Sequence, residues 1–154
     1  MRKTADESVT DSTTLQNDNH LSFSIAASEA WSFQVFLAVN ASTDGRDIKI
    51  GFTVPSGATV RWGAIGPTTG VSIMTDVRGN FASQSGSATG SCCTANFGVP
   101  LDDSGALETV IMIKGTVVNG STAGTLQLQW AQATAGAGTS TTVLADSWLI
   151  GLRF

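Results

Sequence analysis

Charge is what this chain has least of. Lys, Arg, Asp and Glu together make up 13% of its 154 residues, about half the ~25% of an ordinary soluble domain. The eight Lys and Arg are scattered along the chain and the net charge is −4. A nucleic-acid footprint needs clustered basic residues, so direct binding to DNA or RNA is not expected. There is one histidine, His20, and the two cysteines, Cys92 and Cys93, are adjacent. Neighbouring cysteines bridge only with strain, because the preferred Cα separation of ~5.5 Å exceeds one step along the chain. With a single imidazole, a metal site lacks further ligands at suitable spacing. The expectation is two free, partly buried thiols, no metal and no cofactor. No apolar run approaches the ~20 residues of a membrane-spanning helix. "MRKTADESVTDSTTLQ" has basic residues with no apolar stretch behind them, unlike a secretory signal. The expected site of synthesis and folding is the cytoplasm.

Reactive constellations are missing too. Nucleophilic catalysis needs a base beside the nucleophile and a third group to orient that base, and no G-x-S-x-G, P-loop or H-E-x-x-H occurs. His20 stands in the polar cluster "QNDNH", which reads as an exposed turn. Asp102 and Asp103 are consecutive, so their side chains diverge, whereas glycosidases need two carboxyls facing one sugar ring. Asp44 and Asp47 flank a Gly-Arg turn. With Asn40 they outline a weak calcium loop, at a spacing that matches no EF-hand. The sequons at Asn40 and Asn119 have no route to glycosylation without a secretory signal. Asn119-Gly120 reads instead as a tight hairpin turn. No catalytic residue is expected.

What the chain does have is alternation. "LSFSI" puts Leu21, Phe23 and Ile25 on one face, and "WSFQVFLAV" does the same for Trp31, Phe33, Val35, Leu37 and Val39. "IKIGFTV" aligns Ile48, Ile50, Phe52 and Val54, and "GTLQLQW" aligns Leu126, Leu128 and Trp130. Period two is the mark of strands with one buried face. "TVRWGAIG" and "VSIMTDV" are shorter and less regular. "LETVIMIKGTVV" is apolar in both phases, which predicts a strand covered on both sides. "TTVLADSWLIGLRF" reads as one last strand with Leu144, Trp148, Ile150 and Leu152 in phase. Residues 78–106 read as a long Gly/Ser-rich loop of the kind that is often functional or interfacial. Three of the four tryptophans share the phase of a buried face; Trp62, beside glycines and Arg61, is the one expected at a surface. No amphipathic helix is found. The fold class is all-β: a single-domain antiparallel β-sandwich of eight to nine strands over residues 21–154, in the jelly-roll version, behind an extended N-terminal arm of residues 1–20.

The stretches "RKTADESVTDSTTLQNDNHLSF", "FTVPSGATVRWGAIGP", "GSTAGTLQLQWAQ" and "TTVLADSWLIGLRF" resemble small β proteins and fibre modules of tailed bacteriophages. That resemblance rests on strand phases, turns and the leading segment, and it implies no catalytic residue. It implies a structural virion protein. The leading expectation is a capsid decoration (cement) protein on the outer head surface, homotrimeric and bound to the major capsid protein. A polar, strand-capable arm can pair its backbone with a neighbour's sheet edge, and many lattice copies multiply weak contacts. The expected interface residues are Arg2, Lys3, Thr4, Val9, Thr10, Thr13 and Leu15 of the arm, together with Trp62. The alternative is a receptor- or glycan-binding module of a tail or head fibre that uses Trp62 and the 78–106 loop.

Overall fold

A computed structural model describes residues 1–43, 46–67, 79–87, 92–99 and 108–154. Among them are eleven strands and no helix: β1 (Glu7–Thr10), β2 (Gln16–Ile25), β3 (Ala30–Ala41), β4 (Ile48–Thr53), β5 (Thr59–Pro67), β6 (Gly79–Ser87), β7 (Cys92–Phe97), β8 (Thr109–Val118), β9 (Gly124–Gln132), β10 (Ser140–Val143) and β11 (Trp148–Arg153).

The strands form two antiparallel sheets. The smaller has the order β2-β9-β4-β7, and the larger contains β3-β8-β5-β6. Consecutive strands from β2 to β5 alternate between the sheets, and β6 to β9 complete the same plan. Those eight strands make a jelly roll, two interleaved Greek keys. Three more strands widen the larger sheet at β3. Its long edge pairs with β10 through Val39–Ala41 and with β11 through Trp31–Phe36, and β1 then adds to β10.

The sequence phases explain which face is inside. Phe33, Val35, Leu37 and Val39 of β3, Val60, Trp62 and Ala64 of β5, and Ile111, Ile113 and Val117 of β8 project inward from the larger sheet. They meet Leu21, Phe23 and Ile25 of β2, Ile48, Ile50 and Phe52 of β4, and Leu126, Leu128 and Trp130 of β9. Gly115 interrupts the β8 set because the Phe33 ring takes its place: a Cβ there would lie 2.3 Å from Phe33 Cζ.

Several expectations are corrected. Residues 1–20 are not a free arm. Lys3 is fully buried, Val9 of β1 is in the core, and "QNDNH" is part of β2 rather than a turn. The 78–106 region is not one loop, since it contains β6 and β7. β8 is covered on one side only, leaving Val110 and Met112 exposed. The last strand is two. The backbone turns at Leu144–Ser147, where Asp146 has φ 66°, and the buried phase is the odd-numbered one on both sides of the turn, not the even one expected. Val143 and Leu149 point inward, while Ile150 and Leu152 are exposed. Asn119-Gly120 is not a two-residue turn. Five residues join β8 to β9, and the buried Asn119 amide ties them by donating to the carbonyls of Ala26 and Thr122. The expectations about Asp44, Asp102 and Asp103 fall outside the described residues, and those about the two thiols concern side chains outside the description.

Candidate functional site

The expected interface residues do not form one surface. Arg2 is exposed and pairs with Asp146 at 3.1 Å, beside its backbone bridge to Trp148. Thr4 and Thr13 are exposed, and the Thr13 carbonyl accepts a hydrogen bond from Lys49 Nζ. Thr10 is exposed on β1, Val9 faces the core, and Leu15 is half-buried. Trp62, expected at the surface, is 3% exposed and packs edge-on against Phe52 with ring centroids 5.3 Å apart. Trp62 shares the inward phase of Val60 and Ala64, while Gly63 beside it lies on the outer face.

The leading residues are fastened by chemistry as well as by strand pairing. Lys3 Nζ donates to Asp18 Oδ2 at 2.7 Å and to Glu7 Oε2 at 2.9 Å. Asp18 also accepts from Trp130 Nε1 and from the backbone N–H groups of His20 and Leu21. Ligand atoms of Glu7, Asp18 and His20 lie within 4.8 Å of one another, a grouping that invites a cation. The Lys3 ammonium is that cation: it already bonds both carboxylates, so the grouping is a buried ion pair with its remaining acceptors satisfied. His20 is half-buried in β2 rather than in an exposed turn. Its Nε2 lies 3.2 Å from Thr4 Oγ1, while Nδ1 has no partner among the described residues. Without a group to orient the imidazole, Thr4 and His20 do not make a nucleophile–base–acid set.

The outer face of the larger sheet is different. The registers of β11, β3, β8 and β5 put Trp148 opposite Phe36, Phe36 opposite Met112 and Met112 opposite Ile65. This is an apolar row across four neighbouring strands. Trp148 and Phe36 stack at 5.9 Å with their planes 8° apart, and Met112 and Ile65 are 49% and 56% exposed. Val110 and Ile150 flank the row, both exposed. In the adjacent row lie Ile150, Gln34, Lys114 and Gly63. Gly63 leaves a hollow of about 220 Å³ walled by Ile65, Met112 and Lys114. Lys114 and Arg61 are exposed, and neither makes an ion pair among the described residues. The face therefore joins an apolar strip to two free cations on a chain of net charge −4. The sign of this surface in the sequence was the double-phase apolar pattern of "LETVIMIKGTVV".

At the other end of that row, Ser32, Phe33, Gln34, Ile150, Gly151 and Leu152 line a second hollow of about 250 Å³. Beneath it Glu29 is held ionised: its pKa lies below the usual 4.5 because Arg153 Nη1 donates to it at 2.7 Å, reinforced by the Ala26 N–H and the Trp31 indole N–H.

No protein-family model matches this chain, and no curated protein does. Among solved structures it is similar to the VP2 subviral particle of infectious bursal disease virus, with 11% identity and a TM-score of 0.20 over 99% of this chain and 37% of that one. It is also similar to the Gx strain of the same virus, with 15% identity and a TM-score of 0.21 over 98% and 38%. The chain thus spans under two-fifths of those structures, and a likeness of this degree assigns no role.

Proposed function

We propose that this chain is a non-enzymatic structural protein of a tailed-bacteriophage virion, a capsid decoration protein that binds the outer head surface. The contact is made by the outer face of the larger sheet, not by an arm. The observation that carries this reading is the row Trp148–Phe36–Met112–Ile65 with Arg61 and Lys114 beside it. Exposed apolar strips rimmed by polar residues mark protein-binding surfaces. Outer positions farther from the row include Ser8, Thr10, Ser32, Gln34, Asn40, Thr116 and Thr142. The partner that fits is a capsid subunit presenting apolar side chains with carboxylates next to them. The resemblance to phage β modules and the jelly roll, a fold used by viral coats and lectins alike, support the reading at the level of class only.

The three-fold arrangement was motivated by free arms meeting on a lattice axis. With residues 1–10 built into the sheet that motive is gone, and the proposal does not include a trimer. The fibre reading leaned on Trp62 as a surface ring, and a core position removes that support.

The test is binding of the purified protein to heads stripped of it. Met112→Asp combined with Lys114→Glu should abolish co-sedimentation without changing the fold by circular dichroism, and binding of the parent chain should weaken with salt. Undiminished binding by that double variant would refute the surface assignment. A copy number of a few per particle, rather than hundreds, would refute decoration.

A further inference from the structure

We propose that two copies of this chain join edge to edge through β11, forming a two-fold dimer with one continuous sheet. One side of β11 pairs with β3. On its other side, Met1 to Lys3 cover only the beginning: Leu149 exchanges hydrogen bonds with Met1, and Lys3 donates to the Ser147 carbonyl. Leu149 thus directs its N–H and C=O away from β3. Phe154, by contrast, donates to Ala30 on the β3 side. Backbone direction alternates along a strand, so Gly151 and Arg153 also point their N–H and C=O outward. No strand lies beside them among the described residues.

Exposed edges are normally protected by charge, proline, bulges or shortness. The open edge of β2 is interrupted by a register shift between Asn17 and Ser22 and carries Asp18 and His20. β11 has no proline and no register shift against β3. Its outward-facing positions are Ile150 and Leu152, followed by Phe154, which are 57%, 66% and 76% exposed. Its one charge, Arg153, is engaged with Glu29.

An antiparallel edge is complementary to itself, and the free backbone groups select the register. Centring the two-fold axis on Gly151 would leave one hydrogen-bonded pair, because Arg153 would then face Leu149 of the second copy, whose groups are already used by Met1. Centring it on Leu152 pairs Gly151 with Arg153 of the second copy, and Arg153 with its Gly151. Both are hydrogen-bonded pairs, so every free group is used. Leu152 then meets its own copy across the axis as a non-hydrogen-bonded pair, where side chains approach most closely. Ile150 meets Phe154 of the second copy. Arg153 meets a glycine, so its bond to Glu29 is not crowded. The 250 Å³ hollow bordered by Ile150 and Leu152 takes up the added apolar side chains. Because both edges are consumed, growth stops at two. The axis is normal to the sheet, so both outer faces look the same way and present two apolar rows to one side.

This inference concerns the purified chain alone, so its outcome is separate from that of capsid binding. In a background carrying Cys92→Ser and Cys93→Ser, Leu152→Cys should give a disulfide-linked dimer under mild oxidation. Ile150→Cys should not, since the two Ile150 positions stand four residues apart in register, about 13 Å. Sedimentation equilibrium of the parent chain should show monomer and dimer exchanging across a dilution series, and Leu152→Lys should be a folded monomer. A parent chain that stays monomeric at its highest soluble concentration overturns the proposal. So does a dimer unaffected by Leu152→Lys, or equal cross-linking at 150 and 152.

Discussion

Residues 1–10 and residues 148–154 both lie at the β3 margin of the larger sheet, β1 on β10 and β11 on β3, and their fates are opposite to their compositions. The first segment is polar, and its Lys3 is 0% exposed. The second is mostly apolar, and its Ile150, Leu152 and Phe154 face solvent. Hydropathy did not decide which was buried; available partners did. Lys3 is buried because Asp18 and Glu7 wait for it, and Val9 because the pairing of β1 with β10 turns it toward the core. Ile150 and Leu152 are exposed because the inward phase of β11 belongs to Leu149 and Gly151, continuing the phase of Val143. A polar strand with a charge partner closes the fold, and an apolar strand without one leaves it open to another molecule.

Breaking the closed side should have the largest consequence. Lys3→Ala leaves Asp18 and Glu7 facing each other without their cation, and removing one partner of a buried pair costs about 3–5 kcal/mol. Urea unfolding should show that loss through a lower midpoint. Val9→Ala removes two buried carbons from β1 and should cost about 2 kcal/mol; a change indistinguishable from zero would mean that β1 is not docked in solution. On the open side, Leu152→Lys should leave the stability of the monomer within about 0.5 kcal/mol while eliminating the dimer. The difference between these two edges is then a difference between folding and association.

The smallest effect is a pH dependence. Glu29 has a folded pKa below 4.5, owing first to Arg153. Its contribution is therefore present above the unfolded value and is lost as pH falls from about 4.5 through the folded pKa. Replacing Arg153 by Gln should move the Glu29 carboxyl resonance midpoint upward in an NMR titration. An unmoved midpoint would show that the Ala26 and Trp31 N–H groups alone hold it down.

Most strand phases were readable because period two survives wherever one face is buried: Leu21, Phe33, Ile50 and Leu126 all lie where alternation puts them. The failures share a cause. Alternation cannot say which of two apolar phases is inside, so Met112 was expected to be covered, and Ile150 was expected in the core where Leu149 lies instead. Trp62 was misplaced because Gly63 beside it opens the outer face of β5, whereas Trp62 itself shares the inward phase of Val60 and Ala64. The Lys3–Asp18 pair was invisible because its members are fifteen residues apart in sequence and meet only when β1 reaches β10. The apolar row on the outer face depends on four registers at once, which no single segment encodes.

The pairing of β1 with β10 and of β2 with β9 has a consequence for how the molecule is made. Neither β1 nor β2 has its neighbour until β10 and β9 have left the ribosome, and long-range pairing of this kind is slow to form. Residues 1–20 must therefore wait in the open, and their hydrophilic character is what keeps them harmless during that delay.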